Sequence, residues 1–329
     1  MKKNIRLILI CMLIAGAGVL FLAGCAGEDA VGEDNDSEEV KIDEGADTKC
    51  EVSYSPYEGN HKEMFLSKGD KVALIAPSAR PSREQTESTV KGLKEWGYVP
   101  VEGAHVYDEI CTFQDIMDDL TWALEDPEIK AIFCVRGGYG ASEVMDEIPI
   151  EQIKNSDKLI IGYSDITVFH SAWSCAGIPS IHACMSAAFD DLPEECVNAE
   201  KAILEGSIPE YRCECNMYCK EGEGDGILIG GNLSTFCSVL DTFYDISKTD
   251  EPYVLFVEDV GEDLEHIHRY LTILKHAGVL DKASGIVFGE WIDLPQDLGD
   301  YLGPRRGGEY GSIADMISRQ FLDDPDIPV

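Results

Sequence analysis

The sequence predicts an α/β protein: an N-terminal domain built on a parallel sheet with helices on both faces, then a smaller α/β domain. Three observations predict it. Short apolar runs of strand length alternate with segments whose apolar residues recur at helical spacing, the pattern of parallel strands joined by covering helices. That rhythm breaks clearly over Cys196–Gly224, where charge, cysteine and glycine replace it. The chain's 329 residues are enough for two domains of ordinary size.

The elements follow in order. Lys71–Ala76 is a short apolar run ending in Pro77, a buried strand leading into a loop. Arg83–Trp96 has apolar residues at helical spacing and stops before Gly97. Tyr98–Val101 reads as a second strand, and Phe113–Leu124 as a helix closed by Asp126-Pro127. Ala131–Val135 is a strand and Ala141–Ile148 a helix, and Leu159–Ile161 and Pro179–Ile181 are further strands. Beyond the break, Gly226–Ile229 opens a second unit, Leu233–Tyr244 is helical, Tyr253–Val257 a strand and Leu264–His276 a helix stopped by Gly278. Gly285–Phe288 is the last strand in this reading, and no internal repeat is visible.

The N-terminus has its own logic. Met1–Arg6 is basic, Leu7–Leu22 is apolar, and Leu22–Cys25 reads Leu-Ala-Gly-Cys. The run is short for a membrane span. It resembles the lipobox of bacterial lipoproteins, which implies a signal peptide over 1–24 and a lipid on Cys25. Residues 25–53 are acidic and poor in large apolar side chains, so little burial offsets the entropy of ordering them. They are expected to be a disordered tether. The divisions are then 54–200 for the first domain, 201–224 for the connection and 225–329 for the second domain.

Asp and Glu total 62 against 26 Lys and Arg, a formal charge of -36 that repels nucleic acid and anionic headgroups. Of the 12 cysteines, Cys213, Cys215 and Cys219 cluster, but without a matching pair or nearby histidine their spacing is poor for zinc. Disulfides or free thiols suit them better, and no metal site is expected.

The chemistry concentrates in Leu159–Thr167, LIIGYSDIT. An apolar run stops at Gly162, Ser164 follows two residues on, and a helical pattern begins at Ile166. A serine at such a turn projects its hydroxyl beside the next helix's free N–H groups, as in a nucleophile elbow. The same spacing suits Ser164 or Asp165 as a plain N-cap, and the motif alone leaves both readings open.

Three more segments accompany it: Arg136–Gly140 (RGGYG) after a strand, Gly230–Leu233 (GGNL) and Val257–Gly261 (VEDVG). Singly, these read as a phosphate loop without Walker spacing, a turn into a helix and a surface carboxylate. As an ordered set, from about Asp70 onward, they resemble the LD-carboxypeptidases, serine peptidases that include muramoyltetrapeptide carboxypeptidases and microcin C immunity proteins. The resemblance implies Ser164 as nucleophile and Glu258 as the acid that orients a catalytic histidine. It implies an oxyanion hole from the N–H groups of Gly138 and Asp165, and Arg136 and Asn232 as substrate contacts. No metal or organic cofactor is implied, and a homodimer is.

The implied activity is hydrolysis of the L,D-peptide bond to the terminal D-alanine of peptidoglycan tetrapeptides through an acyl-enzyme, with a muropeptide as partner. The alternatives are a microcin C immunity-type amide hydrolase and a non-catalytic, tethered wall-peptide binding lipoprotein. The lipobox implies export to the outer face of the cell membrane.

In the family the catalytic histidine lies in a Gly-His segment near the end. Here no histidine follows His276, and the chain stops at Val329. The expectation is therefore of a second domain that ends before its base, weak or inactive as it stands, with an unpaired sheet edge. His170, two turns into the helix after Ser164, is expected to point away from the hydroxyl, and His266 and His268 to sit on a surface helix.

Overall fold

A computed structural model describes residues 50–59, 61–185, 194–213, 218–293, 313–322 and 327–329. The predicted signal peptide, Cys25 and most of the predicted tether lie outside the described residues. Among the described residues no helix is long and apolar enough to cross a membrane.

The first strand, β1 (Cys50–Pro56), precedes β2 (Lys71–Ile75), α1 (Arg83–Trp96), β3 (Val99–Glu102), α2 (Phe113–Glu125) and β4 (Ile129–Cys134). Two short helices, α3 (Ala141–Met145) and α4 (Ile150–Ser156), lead to β5 (Leu159–Gly162), α5 (Thr167–Ala176) and β6 (Ile181–His182). The strands form a five-stranded sheet, β3-β2-β4-β5-β6, parallel throughout and flanked by helices. Its central strands are buried on both faces, which is why they read as unbroken apolar runs in the sequence.

Helix ends follow local chemistry. Ser82 accepts from Gln85 N while the Gln85 side chain accepts from Ser82 N, a complete capping box that starts α1. Thr112 and Asp115 do the same for α2. The C-terminal end of α2 is held from outside, since buried Lys158 donates to the carbonyls of Ala123, Leu124 and Asp126 at 2.7–2.8 Å.

The region read as a connection is structured. α6 (Glu194–Leu204) runs into it, and β7 (Ser207–Cys213) pairs antiparallel with β1, Cys50 opposite Cys213. A strand thus begins at Cys50, inside the stretch read as tether, and the 201–224 connection contains another. Sequence reasoning missed both because a two-stranded ladder in a charged, cysteine-rich stretch carries little apolar alternation.

The second unit comprises β8 (Ile227–Asn232), α7 (Leu233–Val239), β9 (Tyr253–Val260), α8 (Leu264–His276), α9 (Val279–Lys282), β10 (Gly285–Ile292) and α10 (Ile313–Phe321). Its three strands form a second parallel sheet, β10-β9-β8, over a separate apolar core. The expected open edge beside β10 is covered at one point: Ile286 N donates to Pro328 O, and Val329 exchanges two backbone hydrogen bonds with Lys220.

α5 joins the two units. Thr167–Trp173 is buried without interruption, as a helix packed on every side must be. It packs on the first sheet, on β8 and on α7. Ser171 Oγ donates to Tyr244 O and accepts from Ile246 N, and Thr167 Oγ1 accepts from Asn232 N, so polar contacts cross the seam as well.

Candidate active site

The site is built at the C-terminal ends of β4, β5 and β6 on one side and of β8 and β9 on the other. At the end of β5 the backbone turns sharply and Ser164 takes φ +61, a left-handed conformation that costs a non-glycine residue on the order of 1 kcal/mol. Its side chain caps no helix: the 3-10 turn Ser164–Ile166 has no side-chain cap, and α5 begins beyond it. The N-cap alternative for Ser164 is thereby removed. The half-buried hydroxyl makes no hydrogen bond among the described residues.

The RGGYG loop lies against this serine. A Cβ on Gly137 would sit 3.0 Å from Ser164 Cβ and 3.2 Å from Oγ, so only glycine lets the loop come this close. Gly138 follows with φ +121. No hydrogen bond among the described residues engages the N–H of Gly138 or of Asp165. Arg136, which is exposed, donates from Nη1 to the carbonyl of Arg80 at 2.8 Å and pins the loop to the segment after β2.

Asp165 does cap a helix, but not its own. Its buried Oδ2 accepts from Ser78 Oγ at 2.7 Å and from Ala141 N, the first residue of α3, at 2.9 Å. One carboxylate thus ties the elbow to the loops after β2 and β4. Burial pushes its pKa above the usual carboxylate value, and the two hydrogen bonds oppose that rise.

Glu258 comes from β9, directly opposite Asn232 of β8, and is 2 % exposed. Burial, with a contribution from Asp259, pushes its pKa up to about 8. The next side chain serves another face. Asp259 accepts from Asn232 Nδ2 (2.8 Å), Ser234 N (2.9 Å) and Val260 N (2.8 Å). The Asn232 Oδ1 accepts from Thr235 N and Ser234 Oγ, so Asn232 caps α7, and one of its amide hydrogens makes no hydrogen bond among the described residues.

The histidines separate cleanly. His170 Nε2 lies 2.8 Å from Gly162 O and so turns back to the strand end ahead of the elbow; burial lowers its pKa to about 4. On α8, His266 lies within 3.2 Å of the Glu262 and Asp263 carboxylates, and the His268 ring packs on Phe321. Neither belongs to the site. Sequence reasoning gave His182 no role, yet its Nε2 stands 3.8 Å from Glu258 Oε1. Burial and the neighbouring His170 hold its pKa well below the ordinary histidine value. Ser78 is a further site residue that sequence reasoning missed, and Gly137 it gave only as part of the RGGYG loop. Among the described residues no group of three His, Cys, Asp or Glu side chains is gathered to hold a metal ion.

A parallel α/β sheet carrying a strained serine at a strand end, a glycine loop against it and a buried carboxylate from a second unit define a serine hydrolase of the elbow type. Residues 72–183 match the LD-carboxypeptidase N-terminal domain and residues 225–329 its C-terminal domain, and the chain belongs to the LD-carboxypeptidase family. It is a serine-type carboxypeptidase, a hydrolase. It is 30% identical over 264 residues to the "probable murein peptide carboxypeptidase" of Bacillus subtilis, covering 74% of this chain and 82% of that one. The fold resembles that of the microcin C7 self immunity protein MccF, with a TM-score of 0.65 and 21% identity over 80% of this chain and 87% of that one. It also resembles a muramoyltetrapeptide carboxypeptidase of Oxalobacter formigenes, with a TM-score of 0.62 and 22% identity over 79% and 86% of the two chains.

Proposed function

We propose that the protein removes the terminal D-alanine from peptidoglycan tetrapeptides by cleaving the L,D-peptide bond through an acyl-enzyme. The observation that carries this reading is the elbow itself: Ser164 at φ +61, its hydroxyl uncommitted, with Gly137 packed against it. Ser164 Oγ attacks the scissile carbonyl, and the N–H groups of Gly138 and Asp165 receive the oxyanion. Backbone donors placed for that charge lower the barrier, by about 3–4 kcal/mol for a single donor in well-studied enzymes. The C–N bond breaks, the serine proton passes to the departing amine of D-alanine, and water then hydrolyses the Ser164 ester. Family resemblance assigns the proton transfer to a histidine oriented by Glu258. Arg136 at the rim and the remaining amide hydrogen of Asn232 are the candidate substrate contacts.

Mass spectrometry of a tetrapeptide muropeptide incubated with the full chain tests the reading. Loss of D-alanine that disappears in Ser164→Ala supports it; no loss from folded protein counts against it. A glutamyl sulfamoyl nucleoside assayed in parallel distinguishes the immunity-type alternative. Export and lipid attachment at Cys25 complete the proposal and put the enzyme against the cell wall. Incorporation of labelled fatty acid in the producing cell, abolished by Cys25→Ala, checks that part.

A further inference from the structure

His182 is a polar side chain at the seam that has no part in the proposed reaction, yet it lies beside Glu258. β6 pairs it with Gly162, the residue at which β5 ends. Its ring is hemmed by Tyr163, His170 and Phe256, with centroids 6.3, 5.4 and 5.9 Å away. His170 does not compete for Glu258, because its own Nε2 is committed to Gly162 O.

Three buried polar atoms here lack a partner, His170 Nδ1, His182 Nδ1 and Glu258 Oε1. Leaving such groups unpaired in the interior is costly. His182 Nδ1 borders the space beside Gly231: a Cβ there would stand 3.1 Å from Nδ1 and 2.5 Å from Thr167 Oγ1. The Thr167 hydroxyl already accepts from Asn232 N, so its own proton remains to be given. Nδ1 is thus on the side of a donor, and the ring proton belongs on Nε2, which faces Glu258 Oε1.

We propose that His182 is a positioning residue for Glu258: its Nε2–H donates to Oε1 across the seam between the two sheets and leaves the other carboxyl oxygen for the catalytic base. This rests on Glu258 being the orienting acid of the proposed mechanism. At 3.8 Å the contact is longer than a formed hydrogen bond, and closing it takes less than about 1 Å, the kind of tightening that catalytic contacts undergo when substrate binds.

Nuclear magnetic resonance on the full chain decides the matter. In 15N-histidine spectra, with His182 assigned by its loss in His182→Gln, the ring is expected as the Nε2–H tautomer. The Glu258 carboxyl, followed by 13C, is expected to titrate about one pH unit higher in His182→Phe and to return toward the wild-type midpoint in His182→Gln, whose amide restores a donor. A merely structural histidine moves the two variants alike. An Nδ1–H or charged ring, or one midpoint in all three folded proteins, overturns the proposal. Should His182→Phe fail to fold, the wild-type tautomer and the Gln midpoint still decide. D-alanine release assayed on the same samples separates the two readings: release without the carboxyl shift overturns this bond alone. The shift without release keeps the bond and removes the substrate assignment.

Discussion

The Cβ that Gly137 lacks would stand 3.0 Å from the Cβ of Ser164 and 3.2 Å from its hydroxyl oxygen. The loop and the nucleophile are in contact with no room for a methyl group between them. Gly137→Ala should therefore push the two apart and lower kcat at least about tenfold, since small misplacements of reacting groups are costly. Steady-state kinetics against thermal unfolding checks it. A large loss of stability with intact kcat would show that the methyl group is absorbed elsewhere.

Ser164 is strained in the position that makes it useful. Ser164→Gly relieves the positive φ that Ser164→Ala keeps, so the glycine variant should be about 1 kcal/mol more stable than the alanine variant, while neither releases D-alanine. Urea unfolding of the pair measures this directly.

Asp165 holds three loops with one oxygen. Ser78→Ala and Asp165→Ala should each destabilise by about 1–3 kcal/mol, and the losses should not add in the double mutant, because both remove the Ser78–Asp165 bond. Additive losses in a double-mutant cycle would place the two side chains in separate roles.

Glu258 ties stability to pH. Its pKa lies near 8 in the folded protein, against the ordinary carboxylate value of 4.5. The folded state therefore holds a proton that the unfolded chain gives up. The stabilising contribution is complete below about pH 4.5 and fades as pH rises toward 8, at up to about 1.4 kcal/mol per pH unit. Glu200 lies in the same range, again because of burial, and adds a slope of the same sign. Glu258→Gln should remove one proton's worth of that slope between pH 5 and pH 7.5. Equal slopes for wild type and variant would mean that Glu258 is ionised in the fold.

Much of this was legible in the chain where local chemistry decides the outcome. α1 and α8 begin and end where the periodicity puts them, because Ser82 and Asp263 cap them and Gly97 stops the first. Ser164 and the glycine loop were visible through the ordered set of four short motifs, since the elbow pattern alone also suited an N-cap. The β1–β7 ladder was hidden, since its pairing is decided between segments some 150 residues apart. His182 was hidden for the same reason. Nothing around Ile181–Ala183 marks it, and it matters only once β6 is set beside β5 and the second sheet brings Glu258 within 3.8 Å. The second role of Asp165 was also out of reach, because the helix it caps lies earlier in the chain than the residue itself.

The ladder between β1 and β7 has a consequence in time. Translation makes Cys50–Pro56 early, yet the strand that receives it, Ser207–Cys213, follows only after the five-stranded sheet and its helices. At typical synthesis rates that separation is on the order of ten seconds. For that interval an unpaired strand edge waits beside a nearly finished domain. The first described segment to be made is thus among the last to be secured.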